Sequence, residues 1–148
     1  MMTVADILRT KDTRIITVRL RETAATAAML MQRENIGALV VKDVSRTEGN
    51  IVVGVFSERD LARAIAKHGA AVLDMPIAQL LGRPLVSCGE RDTLDTVLRL
   101  MDKHQVRLLP VMEEHTLIGV ISISDIIRNA VLQAGDLAAP SVAAPLHH

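Results

Sequence analysis

Gly54-Val-Phe-Ser57-Glu-Arg-Asp60-Leu61 recurs as Gly119-Val-Ile-Ser122-Ile-Ser-Asp125-Ile126. Each copy is an apolar run that closes on Ser-x-x-Asp, the pattern of a strand entering a helix whose first turn the Ser caps. The likeness extends upstream. Ile16-Thr-Val18 answers Val86-Ser-Cys88, Thr23 answers Thr93, and Asn35-Ile-Gly37 answers Gln105-Val-Arg107. Thr23 to Thr93 and Asn35 to Gln105 are each 70 positions apart, whereas Ser57 to Ser122 is 65. The first copy therefore holds extra residues near Ser45 to Gly49, where a hairpin loop can absorb them. A duplication of this length implies two similar units that cover each other, with paired sites between them.

The chain has 148 residues, enough for one domain or for two small units sharing a core. Apolar residues are 49% and aromatics 1%, so the interior is aliphatic. Seventeen basic residues balance seventeen acidic ones. Without a basic block or stacking aromatics, the chain is poorly equipped for nucleic acid. Cys88 stands alone, which excludes a disulfide framework and a cysteine zinc cluster. Asp6 falls where a signal peptide carries basic residues, and no apolar run reaches the roughly 20 residues of a membrane span. The expectation is a cytoplasmic protein with no membrane contact.

Each unit reads as β-α-β-β-α, an α/β fold of small sheets packed against helices. Val4 to Leu8 is a helical lead-in matched by Ile77 to Leu81. Strands are expected at 15–18, 36–42, 51–56, 85–88, 106–111 and 117–121. Helices are expected from Thr23 to Glu34, from Ser57 to His68, over 93–103 and over 123–133. The units span 3–69 and 77–133, joined by a connector at 70–76. Residues 134–148 lose periodicity and gain proline, the mark of a mobile tail. His147 and His148 at its end read as a weak chelating pair or a tag remnant. Leu94, Val97, Leu98 and Met101 form one buried helical stripe. Ala24 to Met31 is apolar nearly all round, so that helix buries more than one face, against the other unit or against a second subunit.

A single Ser-x-x-Asp is explained by a capping box, in which Ser and the acid satisfy orphan N–H groups of the helix. Its recurrence, always with Asp rather than the longer Glu, adds a second meaning. A helix N-terminus favours phosphate, and a carboxylate beside it accepts hydrogen bonds from a vicinal diol such as ribose. Arg59 either reaches a phosphate or joins Arg63 and Lys67 in an exposed basic stripe. His68, His104 and His115 lack ligand spacing and read as surface or edge residues. Cys88 and His104 could be drawn as nucleophile and base, but nothing local activates the thiol.

The two Gly-h-h-Ser-x-x-Asp motifs (h, apolar), with the apolar strand Leu108-Leu109-Pro110-Val111, resemble a tandem pair of cystathionine-β-synthase (CBS) domains, a Bateman module. The resemblance covers about residues 3–133. It implies two repeats about a pseudo-two-fold, with clefts between them that take AMP, ADP, ATP, NAD or S-adenosylmethionine. By motif position, Asp60 and Asp125 would bind ribose, and Ser57 and Ser122 ribose or phosphate. The resemblance also implies crossed clefts. Asp60 would face Val86, Ser87, Cys88, Val106 and Arg107, and Asp125 would face Ile16, Thr17, Val18, Ile36 and Gly37. Arg107 is basic where Gly37 is not, so the Asp60 cleft is expected to be the tighter one for charged nucleotides. Val40 stands where the family usually carries the proline found at Pro110. With no Trp or Tyr, adenine would rest on aliphatic walls.

The expectation is a regulatory sensor of an adenine nucleotide, AMP, ATP or NAD. It would require no cofactor, bind no metal, perform no chemistry, form a homodimer through its helices, and act on an effector protein the sequence does not name. One rival is an interaction module whose motifs only cap helices over empty clefts. Another is a nucleotide hydrolase, disfavoured because no acid–base pair can be assembled from the sequence.

Overall fold

A computed structural model describes residues 1–11, 14–45 and 49–137. The expected tail from 138 onward, with His147 and His148, lies outside the described residues, as does the loop centre at 46–48. The elements in order are α1 (Val4–Leu8), β1 (Thr17–Arg19), α2 (Ala24–Glu34), β2 (Ala38–Ser45), β3 (Gly49–Ser57) and α3 (Glu58–His68). After 3-10 turns at Gly69–Asp74 and Ile77–Gln79 come α4 (Leu94–His104), β4 (Leu108–Glu113), β5 (Thr116–Ser122) and α5 (Ile123–Leu137). Small sheets pack against helices in a mixed α/β fold, as the repeated pattern requires. Helix α5 runs past the expected end at 133.

Equivalent positions carry equivalent local solutions. Thr23 and Thr93 cap α2 and α4 through their hydroxyls. Asn35 and Gln105 end those helices in the left-handed region, each at φ 54°, and turn the chain at once into β2 or β4. Both hairpins break register at the same place, between Val41 and Lys42 and between Val111 and Met112. The extra residues of the first copy are not all in a loop. They lengthen the strands, with β2 and β3 at 8 and 9 residues against 6 and 7 for β4 and β5.

The sheets differ. The first has order β1-β2-β3, while the second contains β4 and β5 alone. The strand expected at 85–88 is reduced to a single bridge, Cys88 to Val111. In the first repeat the Val40 amide donates to the Ile16 carbonyl at 3.4 Å. Its counterpart, Pro110, has no N–H to offer Val86, so only the bonds flanking Cys88 survive.

The lead-ins are exchanged between repeats. Val4 and Ile7 of α1 are buried with Val97, Met101, Leu109 and Ile121 of the second repeat. Ile77 is buried with Val18, Met31, Leu39 and Phe56 of the first. Backbone bonds fix both exchanges, from the Val4 amide to the Asp92 carbonyl (2.9 Å) and from the Ile77 amide to the Glu22 carbonyl (2.8 Å). The motif glycines serve this packing. A Cβ on Gly119 would lie 3.0 Å from Leu8, and one on Gly54 would lie 3.3 Å from Leu81. What approaches each glycine is the leucine of the other repeat's lead-in.

One expectation for a helix face changes. The buried line of α4 runs through Val97 and Met101, and Leu98 is 39% exposed because it sits a quarter turn off that line. On α2, Ala24, Ala27 and Met31 are buried, but Met29 is 68% exposed.

Candidate functional site

Both Ser-x-x-Asp motifs close as capping boxes. Ser57 accepts the Asp60 amide at 3.1 Å, and Asp60 Oδ2 accepts the Ser57 amide and hydroxyl, each at 2.9 Å. Ser122 accepts the Asp125 amide at 3.2 Å, and Asp125 Oδ2 accepts the Ser122 amide at 2.9 Å. Capping thus engages Oδ2 of each carboxylate. What the carboxylates meet beyond the cap separates the two sites.

Asp60 opens on a cavity of ≈ 470 Å³ between the repeats, within the range of about 300–1,000 Å³ usual for small-molecule pockets. Its polar wall comprises Ser57, Glu58, Arg59, Asp60, Arg83, His104, Gln105, Arg107, Ser122 and Ser124. Its apolar wall comprises Ala38, Val55, Pro84, Val86, Val106, Leu108 and Ile123, with Gly37 at the rim. Three arginines and two carboxylates line it, and Arg83 pairs with Asp60 at 2.7 Å. The starts of β2 and β4 are tied to the starts of α3 and α5, since the Glu58 amide donates to the Gly37 carbonyl (3.0 Å) and the Ile123 amide to the Arg107 carbonyl (2.9 Å). Gly37 and Arg107, equivalent in sequence, both line this one cavity.

Of the residues expected around Asp60, the cavity gathers Ser57, Arg59, Val86, Val106 and Arg107. Ser87 and Cys88 are not in its wall. Cys88 is 5% exposed in the second core. Burial first, and then the nearby Asp92 charge, pushes its thiol up to about 12, which leaves it without nucleophilic character. The cavity also holds Arg83, Glu58 and Ser124, which the motifs do not single out, and the edge residue His104. The available signal for Arg83 was a basic residue in the segment before each repeat's first strand, Lys11 in one and Arg83 in the other.

Asp125 lines neither this cavity nor a second one of ≈ 260 Å³ that holds Thr17 with Arg19, Arg21 and Lys42. Its carboxylate is 8% exposed, and Lys11 Nζ sits on Oδ2 at 2.7 Å. The same ammonium donates to the Val120 carbonyl at 3.0 Å, and Arg128 stands 3.4 Å from Oδ1. Burial pushes the Asp125 carboxyl up, but the Lys11 hydrogen bond and charge and the Ser122 donors outweigh it and hold the group below its ordinary value. Of the residues expected around Asp125, Val18 is buried in the first core and Ile16 and Ile36 pack against it. Gly37 belongs to the Asp60 cavity.

Among the described residues, no three His, Cys, Asp or Glu side chains come together as a metal site. Within the same residues, no helix is long and apolar enough to cross a membrane.

Two repeats with exchanged lead-ins and a cavity between them define the class. The CBS domain model matches residues 4–67 and again 77–131, and the chain belongs to the CBS-domain family. It is a CBS pair, a regulatory ligand-binding module. Among its relatives is the CBS domain-containing protein YhcV of Bacillus subtilis, 29% identical over 120 residues, covering 81% of each chain. The solved CBS-domain protein ATU1752 of Agrobacterium tumefaciens superposes with a TM-score of 0.79 at 34% identity, covering 86% of this chain and 92% of that one. The CBS pair of MJ0100, solved in complex with 5′-methylthioadenosine and S-adenosyl-L-methionine, has a TM-score of 0.71 at 22% identity, covering 89% and 98%. At that identity the likeness attests the fold.

Proposed function

We propose that this CBS pair senses an adenine nucleotide of the AMP, ATP or NAD type in the cavity at Asp60 and performs no chemistry on it. One observation carries the reading. A single cavity gathers a cap-held carboxylate, hydroxyls from both helix starts, and Arg59, Arg83 and Arg107 against an aliphatic wall. The carboxylate suits ribose hydroxyls, the helix N-termini and arginines suit phosphate, and Val86, Val106, Leu108 and Ile123 suit the flat face of adenine. The Asp125 position is expected to stay unliganded while Lys11 occupies its carboxylate. Exposed Met29, Ile127, Val131 and Leu132 on α2 and α5 support a homodimer formed through helices. Occupancy would pass through that dimer to an effector protein in the cytoplasm.

Thermal shift with AMP, ATP, NAD and S-adenosylmethionine, followed by calorimetry on the best ligand, tests this. A ligand at about 100 times its Kd should stabilise the protein by roughly 2.7 kcal/mol. Asp60→Ala should weaken binding at least about tenfold, the loss of one hydrogen bond to a charged group. It should leave the protein folded, since Ser57 still caps the helix and the lost capping bonds and partly exposed Arg83 pair together cost about 1–3 kcal/mol.

The capping geometry favours a second reading. Asp60 already accepts three hydrogen bonds from Ser57 and Arg83 without any ligand, as a purely structural module with an empty cavity would have it. No thermal shift with any of the four compounds decides for that reading.

A further inference from the structure

Arg83 lies between the two repeats and holds both sides. Its Nη2 donates to Asp60 Oδ1 at 2.7 Å, while its Nη1 donates to the His104 and Gln105 carbonyls, at 3.2 and 3.4 Å, at the C-terminal end of α4. Oδ2 already accepts two donors from Ser57, whereas Oδ1 accepts Arg83 alone, so Oδ1 is the oxygen most open to a diol. A diol arriving there crowds the guanidinium that stands on the same oxygen.

The matching pair on the other side differs in degree. Lys11 and Asp125 are 21% and 8% exposed and line no part of the cavity, whereas Arg83 and Asp60 are 35% and 18% exposed and both line it. One pair is shut in and the other is open to exchange.

We propose that Arg83 is a displaceable counter-ion of Asp60, so that the cavity admits ligands carrying a vicinal diol together with a phosphate and discriminates against adenosine compounds that carry the diol alone. This rests on the nucleotide reading of the cavity given above. A diol that takes Oδ1 releases a guanidinium that keeps its charge. Arg59, Arg107 and Glu58 share the same cavity, so the released group leaves three positive charges beside a single free carboxylate, and its Nη2 arm without an anion. A phosphate compensates all three at once, by charge and by the fork geometry of arginine. An uncharged thioether in its place compensates none, and a sulfonium adds a further positive charge. The selection is thus made at the ribose end of the site by a residue that must then turn to the phosphate end.

The test is calorimetric titration of AMP and 5′-methylthioadenosine into wild type and Arg83→Gln, with circular dichroism to verify folding. Wild type should bind AMP more than about tenfold tighter, and Arg83→Gln should shrink that ratio by about tenfold, the worth of one charge-assisted hydrogen bond. The shrinkage should come from both sides, with AMP weakened and methylthioadenosine strengthened. An unchanged ratio in a folded Arg83→Gln protein overturns the proposal and leaves the nucleotide site intact. Equal wild-type affinity for the two compounds also overturns it. Binding of neither compound to wild type removes the nucleotide reading itself. Should Arg83→Gln not fold, Arg83→Lys replaces it. That variant keeps the charge but loses the fork, so it should shrink the ratio less than Arg83→Gln would, and a ratio larger than in wild type overturns the proposal.

Discussion

Replacing Lys11 by Met removes one charge and keeps most of the side-chain volume. The Asp125 carboxylate it leaves behind is 8% exposed, with the Ser122 amide at 2.9 Å and Arg128 at 3.4 Å as its remaining partners. The Val120 carbonyl also loses its 3.0 Å bond from Nζ. Breaking a fully buried ion pair costs about 3–5 kcal/mol. Lys11 is 21% exposed and Arg128 stays near, so about 2 kcal/mol is the expected loss at neutral pH. For a chain of this size that is a fall in Tm of roughly 4–8 °C. The dependence on pH is the sharper part. In wild type the Asp125 carboxyl is held below its ordinary value, so its stabilising effect is present above the unfolded value near 4 and is lost as pH falls through the folded one. Without Lys11, burial is opposed only by the Ser122 donors and Arg128, so the group moves up and the variant takes up its proton at a higher pH than wild type. The gap between wild type and Lys11→Met should therefore be full at pH 7 and shrink on acidification toward pH 3. Differential scanning calorimetry at matched protein concentration over that range measures it. A gap independent of pH, or no gap at pH 7, would refute the role given to this ion pair.

Two further outcomes are expected. Iodoacetamide at pH 8 should leave Cys88 unmodified in the folded protein and label it once urea unfolds the chain, because burial holds the thiol at about 12; rapid labelling of native protein contradicts this. Gly119→Ala should cost about 1–2 kcal/mol in urea unfolding as an overpacked contact, and Gly54→Ala less, since the new Cβ meets Leu8 at 3.0 Å in the first case and Leu81 at 3.3 Å in the second. The reverse order would show that the lead-in leucines do not set the packing.

Much of the local structure was legible because it depends on near neighbours. The helix starts at Thr23 and Thr93 and both capping boxes involve residues within a few positions of one another. The strand expected at 85–88 failed on a non-local fact. Val86 and Cys88 have strand character, but the ladder needs a donor from the residue opposite, and Pro110 has none. The stripe on α4 erred at Leu98 because periodicity gives the centre of a buried face more reliably than its edge. At the site, motif equivalence treated the two Asp residues alike and assigned Gly37 and Arg107 to different clefts. Folding brought both into one cavity and shut Asp125 away from it.

By itself the sequence determined that the chain is a duplicated α/β unit, where its main helices begin, and that a serine and an aspartate stand at the start of each second helix. Periodicity, caps and spacing carry that information because they act over one or two helical turns. The tertiary structure alone decided that each lead-in packs on the other repeat, and that Arg83 meets Asp60 across 23 residues and Lys11 meets Asp125 across 114. Such pairs are not written in local pattern. A charged side chain goes to the carboxylate that packing puts within its reach, and how far that packing excludes water decides whether a ligand can take its place.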